Sequence, residues 1–205
     1  MSLEIWLAFI VATSFISATP GPNMLLMLSH GARYGWRATT ATMSGAILGL
    51  ALLLGLSALG VSSVLAASPL LFMALKIAGA LYLIYLGYQC WYAGSKLSLP
   101  SGNANTTASR FKTGLAVALS NPKAILFAAA FLPQFLTPNA PQAPQWLILL
   151  SSFFIIEITW QLAYALGGMS LARWLESGRR IQIFNRCCAL AFFAVGAALA
   201  LAKIH

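Results

Sequence analysis

Six stretches of this chain are each long and apolar enough to cross a lipid bilayer, and that leaves few folds open to it. They lie at 3–28, 39–66, 69–92, 112–136, 145–172 and 183–202. A hydrocarbon core about 30 Å thick takes about 20 apolar residues of helix. The bilayer offers no water to backbone N–H and C=O groups, so spanning segments pair them internally and are helical. A soluble helical bundle would cover its outer face with charge. With 60% hydrophobic residues, 7% charged residues, three acids and a mean hydropathy of +0.83, this chain has no such cover. The sixth stretch is the weakest, because Arg186 sits near its start; five spans is the competing count.

The basic residues orient the spans. Arg33 and Arg37 follow the first, Lys96, Arg110 and Lys112 follow the third, and Arg173, Arg179, Arg180 and Arg186 follow the fifth. Lys203 stands alone on the other side, and Lys76 and Lys123 lie within spans. Cytoplasmic loops carry the excess of Lys and Arg, which puts those three loops in the cytoplasm and both termini outside. The net charge of +9 is therefore topological, and nothing in its distribution forms a nucleic-acid surface. The opening MSLEIW has an acid where a cleaved signal would carry basic residues, so it reads as a retained first span. Cys90, Cys187 and Cys188 fall near cytoplasmic span ends, where they stay reduced, and their spacing matches no metal or cofactor site. Trp6, Trp36, Trp91, Trp146 and Trp174 fall near span ends, as interfacial anchors do, while Trp160 falls inside the fifth span.

The chain divides into related halves, 1–95 and 112–205, joined by a Ser-, Asn- and Gly-rich linker at 96–111. The first span of each half is interrupted by helix breakers: Thr19-Pro20-Gly21-Pro22-Asn23 in one and Ser120-Asn121-Pro122-Lys123 in the other. Counted at 1.5 Å per residue from Arg33 and Lys112, both breaks fall about 14–15 Å deep, near mid-membrane. Three spans per half is odd, so the second half sits upside down relative to the first. The expected fold is an all-α integral membrane protein of six transmembrane helices in two inverted three-helix repeats. Interrupted helices at matching positions are the sequence mark of a transporter's substrate site. Asn121-Pro122 reads as the cap and first residue of a new half-helix, with Thr19-Pro20 or Gly21-Pro22 its counterpart. Two half-helix N-termini meeting at the midplane would suit a carboxylate. The plainer alternative is a pair of proline kinks without function.

The same residues resemble a family. Pro20-Gly21-Pro22-Asn23 after a first apolar run, KIAGALYLIYLGYQCW at 76–91 and SNPKAILF at 120–127 look like the LysE/RhtB-type amino-acid exporters, and the likeness in order, spacing and length covers essentially the whole chain. The resemblance implies a small bacterial inner-membrane protein that exports amino acids or close derivatives, driven by the proton gradient. Ala189 stands where the third span's pattern has Gly79, so the repeat symmetry is loose there.

Glu157 is the one acid inside a span, at the depth of the breaks, and an acid there normally faces a cavity or a partner. Glu157, Gln161, Tyr164 and Gly168 share one helical stripe. Glu157 reads as a proton carrier, as the counter-ion of a substrate ammonium, or as half of a static pair with Lys123. Lys76 can snorkel outward. Gly45 and Gly49 form a GxxxG pair suited either to internal packing or to a homodimer face. A membrane enzyme would need a catalytic set, and His30 and His205 are the only histidines. No Gly-Lys phosphate loop is present either. A passive channel or structural membrane subunit is the remaining alternative to a secondary exporter.

Overall fold

The computed structural model describes residues 1–67, positions 77, 81, 84–85 and 87–92, and residues 106–137, 140–175 and 178–201. Regular structure among the described residues is helical, with no strands. The third expected span is described only at those scattered positions, all helical. Lys76, Gly79, Lys96, Glu176, Lys203 and His205 lie outside the described residues, as does most of the expected linker.

Helix α1 (Leu3–Ala18) begins at Ser2, whose Oγ accepts the Ile5 N–H at 3.3 Å, with Glu4 in the positive first turn. It stops where Pro20 and Pro22 each remove a backbone donor. Helix α2 (Pro22–Ala67) restarts with proline at its first position. It is broken at Gly35, whose φ of 77° and ψ of 160° glycine reaches without strain. Two helical runs therefore meet there at the basic turn of Arg33 and Arg37.

Helix α3 (Thr107–Ser120) is capped by Thr106 Oγ1, which accepts the Ser109 N–H at 3.1 Å. After Asn121 the chain resumes as α4 (Pro122–Leu126), a π-helical turn (Phe127–Phe131) and a 3-10 turn (Leu132–Phe135). This segment is bent by 53° from α3. Helix α5 (Gln142–Leu175) is broken at Gly168 (φ 37°, ψ −124°), and α6 (Gly178–Leu201) ends the described chain. Gln145 fastens the turn before α5: its Oε1 accepts the Thr137 N–H at 2.8 Å and its Nε2 donates to the Thr137 carbonyl at 3.1 Å.

Among the described residues two helical stretches, Pro22–Gly60 and Gln142–Gly168, are long and apolar enough to cross a membrane, with mean hydropathies of 2.0 and 1.6. The bent pair Thr107–Ser120 and Pro122–Phe135 makes a third candidate, and α1 is apolar but shorter. Large apolar side chains such as Leu56, Leu147 and Ile155 point outward, as the chain of a membrane protein requires.

Helix α2 is the scaffold, packed against both α3 and α5, while α1 lies on α5 and α6. Glycine sets how close these helices come. A Cβ on Gly45 would run into the Phe111 carbonyl, one on Gly114 into the Thr42 carbonyl, and one on Gly49 would lie 2.8 Å from Ala118 Cβ. The GxxxG face thus packs within the chain, where close backbone approach replaces the hydrophobic force that lipid cannot supply. Gly31 makes the same kind of contact with the Ala165 backbone.

Gly45→Ala should destabilise the folded protein by about 1–3 kcal/mol through overpacking against α3. Gly55, on the same helix with open space around it, should accept alanine neutrally or with a slight gain. Thermal unfolding of the two variants in detergent checks the contrast.

Candidate functional site

The end of α1 leaves carbonyls that a continuous helix would have bonded, and side chains from elsewhere in the chain reach them. The Phe15 carbonyl is taken locally, by the Thr19 N–H at 3.0 Å and Thr19 Oγ1 at 2.7 Å. Lys123 Nζ donates to the Ile16 carbonyl at 2.8 Å and to the Thr19 carbonyl at 3.0 Å. Tyr164 Oη donates to the Ala18 carbonyl at 2.7 Å. The two helix breaks therefore lie against each other, with the lysine of the second closing the carbonyl end of the first.

Lys123 reaches this position because of its local sequence. Asn121 caps α4, its Oδ1 accepting the Lys123 N–H at 3.0 Å, and Pro122 occupies the first helical position. Gly21 leaves room for the long side chain: a Cβ there would sit 3.1 Å from Lys123 Nζ.

A cavity opens beside the paired breaks, with about 420 Å³ of empty space when the open solvent at its mouth is counted. Its polar lining is Ser17, Asn23, Asn121, Lys123 and Glu157, and its apolar wall includes Met24, Leu50, Leu54, Phe127 and Phe153. Glu157 Oε1 accepts Gln161 Nε2 at 3.2 Å. Among the described residues no hydrogen bond or ion pair joins Glu157 directly to Lys123, so the static pair weighed from the sequence is not formed. Lys123 uses two of its three donors on carbonyls, which leaves one. The buried oxygens Asn23 Oδ1 and Gln161 Oε1 accept nothing from the protein. An ammonium with a free donor, a carboxylate and an orphaned amide oxygen around one cavity match a small molecule that carries both charges.

The residues singled out from the sequence take different places here. Asn23, Asn121, Lys123 and Glu157 line the cavity. Thr19, Gln161 and Tyr164 are buried behind it, the last two supporting Glu157 and the α1 terminus. Pro20 and Gly21 form the half-buried turn between α1 and α2. Pro22, Ser120 and Pro122 are exposed, and Ser120 Oγ donates back to the Ala116 carbonyl at 2.8 Å. Those three shape the breaks without facing the cavity. Trp160 is half-buried against the core and outside the lining. The apolar wall carried no sequence signal, since Leu and Phe in an apolar helix look alike whether they meet lipid or a cavity. His30, buried with Nδ1 2.7 Å from Thr42 Oγ1, lies outside the lining. Among the described residues no three His, Cys, Asp or Glu side chains gather into a metal-binding group.

Interrupted membrane helices converging on a charged cavity are the architecture of a small-molecule translocator. A family profile, LysE type translocator, matches residues 14–203, and the chain belongs to that family. It is 32% identical to the homoserine/homoserine lactone efflux protein of Salmonella typhimurium, covering 99% of both chains. It is 31% identical to the leucine efflux protein of Enterobacter sp., over 99% of this chain and 97% of the other. An uncharacterized membrane protein of Vibrio cholerae is 29% identical over 99% of this chain and all of its own. No solved structure matches the chain.

Lys123→Met removes both interhelical bonds to the α1 terminus and leaves two carbonyls without a donor, so the variant should lose about 1–2 kcal/mol per bond. Tyr164→Phe removes one such bond and should lose correspondingly less. Unfolding temperatures of both proteins in detergent test the order; equal stability of Lys123→Met and wild type would show that Lys123 does not hold the break.

Proposed function

We propose that this protein exports amino acids or close derivatives across the bacterial inner membrane by exchange for protons. The observation that carries the reading is the meeting of the two helix breaks at a cavity that holds Lys123, Glu157 and the unpartnered Asn23 Oδ1 together. Membership in a translocator family and the efflux names of two relatives support it. The substrate carboxylate goes to the remaining Lys123 donor and the half-helix ends at 19–23 and 120–123. Its ammonium goes to the unpartnered Asn23 Oδ1. The wall formed by Leu50, Leu54, Phe127 and Phe153 accepts a neutral side chain and gives no partner to a third charge.

The proposed frame is six spans in two inverted repeats, 1–95 and 112–205, with a cytoplasmic linker at 96–111 and both termini outside. Its support is the nine-to-one division of basic residues outside the spans and the matched breaks. Reporter fusions after residues 66 and 138 should therefore read extracytoplasmic, and those after residues 96 and 177 cytoplasmic. A C-terminal fusion that reads cytoplasmic would remove the even span count.

Glu157 is the proposed site of proton coupling. Moving one charge across the full potential is worth about 2.3 kcal/mol per 100 mV, enough for a roughly fifty-fold concentration ratio. Cells overexpressing the protein and challenged with toxic amounts of each amino acid in turn identify the substrate by resistance. Glu157→Gln should then abolish gradient-driven efflux of that compound from vesicles while leaving downhill exchange of labelled substrate intact. Loss of exchange as well would reassign Glu157 to the ammonium group. Undiminished uphill efflux by Glu157→Gln would end its coupling role, and a wild-type protein that only equilibrates the compound would be a passive channel.

A further inference from the structure

From two rings in the cavity wall an aromatic column extends that the site chemistry leaves unused beyond them. Phe127 and Phe153 stand in its wall with ring centroids 4.9 Å apart. From Phe127 the rings continue without a gap to Phe131 at 4.9 Å and on to Phe135 at 4.9 Å. Phe9 of α1 closes the far end, edge-on to Phe135 at 5.1 Å and 6.4 Å from Phe131. None of the five is more than 4% exposed, and Phe9 and Phe131 are wholly buried. Three separate elements thus send rings into one column running from the cavity toward the end where α1 and α5 begin.

The backbone under the column is unusual. Phe127 and Phe131 bound a π-helical turn, and Phe135 ends the 3-10 turn that follows. Ser57 Oγ of α2 donates to the Ala128 carbonyl inside that turn. A π-turn is an extra residue held in a helix, and such turns occur often at functional sites. Its conversion to α-helix shifts the register by one residue, which rotates all that follows by about 100°. That rotation would carry Phe135 out of its contact with Phe9 while leaving the helix hydrogen-bonded.

We propose that the phenylalanine column is the outer gate of the cavity, and that the π-turn at Phe127–Phe131 is the joint on which it opens. The inference rests on the transport reading and its topology, which place this end of the protein outside. Closed, the rings keep water and ions from the cavity, because an apolar constriction excludes them. Opened by register shift, they let substrate leave without unpairing a backbone group in lipid.

Accessibility from outside tests the gate without needing a substrate. Ser17 lines the cavity, and Ser17→Cys supplies a thiol there. Intact cells are treated with a membrane-impermeant methanethiosulfonate, and label on residue 17 is located by peptide mass, which separates it from the native cysteines. Adding Phe131→Ala should speed that labelling roughly tenfold or more, as opening a lid does, while Phe131→Leu, which keeps the column filled, should leave it slow. Equal rates with and without Phe131→Ala, at equal amounts in the membrane, overturn the gate. So does acceleration seen only in inside-out vesicles. If Phe131→Ala fails to accumulate, Phe135→Ala is read by the same two criteria. A column that behaves as expected in a protein without energised efflux would leave the gate standing and remove the transport reading.

Discussion

A helix that stops within a packed apolar core leaves carbonyls with nothing to accept from, and the rest of this structure is arranged around those at the end of α1. In water such groups are solvated at little cost; in lipid each unsatisfied group costs several kcal/mol. The chain answers with Lys123 on the Ile16 and Thr19 carbonyls and Tyr164 on that of Ala18. These donors come from α4 and α5, more than 100 residues away in sequence for Lys123 and 146 for Tyr164. The break in α1 is therefore stable only when the second half of the chain is folded against it. The second half of the chain completes the interrupted helix of the first at the place where the proposed substrate sits.

That dependence needs the helices to lie closer than ordinary side chains allow. Gly45, Gly49 and Gly114 bring α2 and α3 into backbone contact, and Gly31 does the same for α2 and α5. Close packing at these crossings fixes the positions of Asn121 and Lys123 at the start of α4, and of Glu157, Gln161 and Tyr164 along α5. Gly35 and Gly168 then provide the left-handed turns by which α2 and α5 change direction beyond the crossings. The glycines thus control the site's geometry without touching it.

The sequence made the interruptions legible because proline and asparagine act locally: Pro20, Pro22 and Asn121-Pro122 stop and restart helices whatever surrounds them. The stripe of Glu157, Gln161 and Tyr164 was legible for the same reason, since helical periodicity alone puts them on one face. What Lys123 touches was not. The sequence offered Glu157 as its partner by depth and charge, whereas the structure gives it two carbonyls, because the acceptors at the end of α1 come within its reach only once the tertiary fold has formed. The π-turn at Phe127–Phe131 and the break at Gly168 also left no sequence trace. Alanine and phenylalanine in the first, and a lone glycine in the second, are as common in continuous helices. The third span and the linker fall largely outside the described residues.

The separation of Lys123 from Glu157 gives the site a property that a direct ion pair would lack. Breaking a buried pair by taking one partner away costs about 3–5 kcal/mol, and a zwitterion entering such a site would have to do so at both ends. Here the ammonium rests on neutral carbonyls and the carboxylate on the neutral Gln161 amide. Both charges keep bonding capacity toward the cavity, and the dipoles that hold them can remain in place when substrate arrives. Binding of the proposed substrate would then add charge-assisted hydrogen bonds without first dissolving stronger ones. Release from the proposed site would be eased by the same arrangement, since neutral partners already satisfy the protein's charges without substrate. A carrier must let go as readily as it binds, and a cavity whose opposite charges are each held by neutral groups meets both requirements in one geometry.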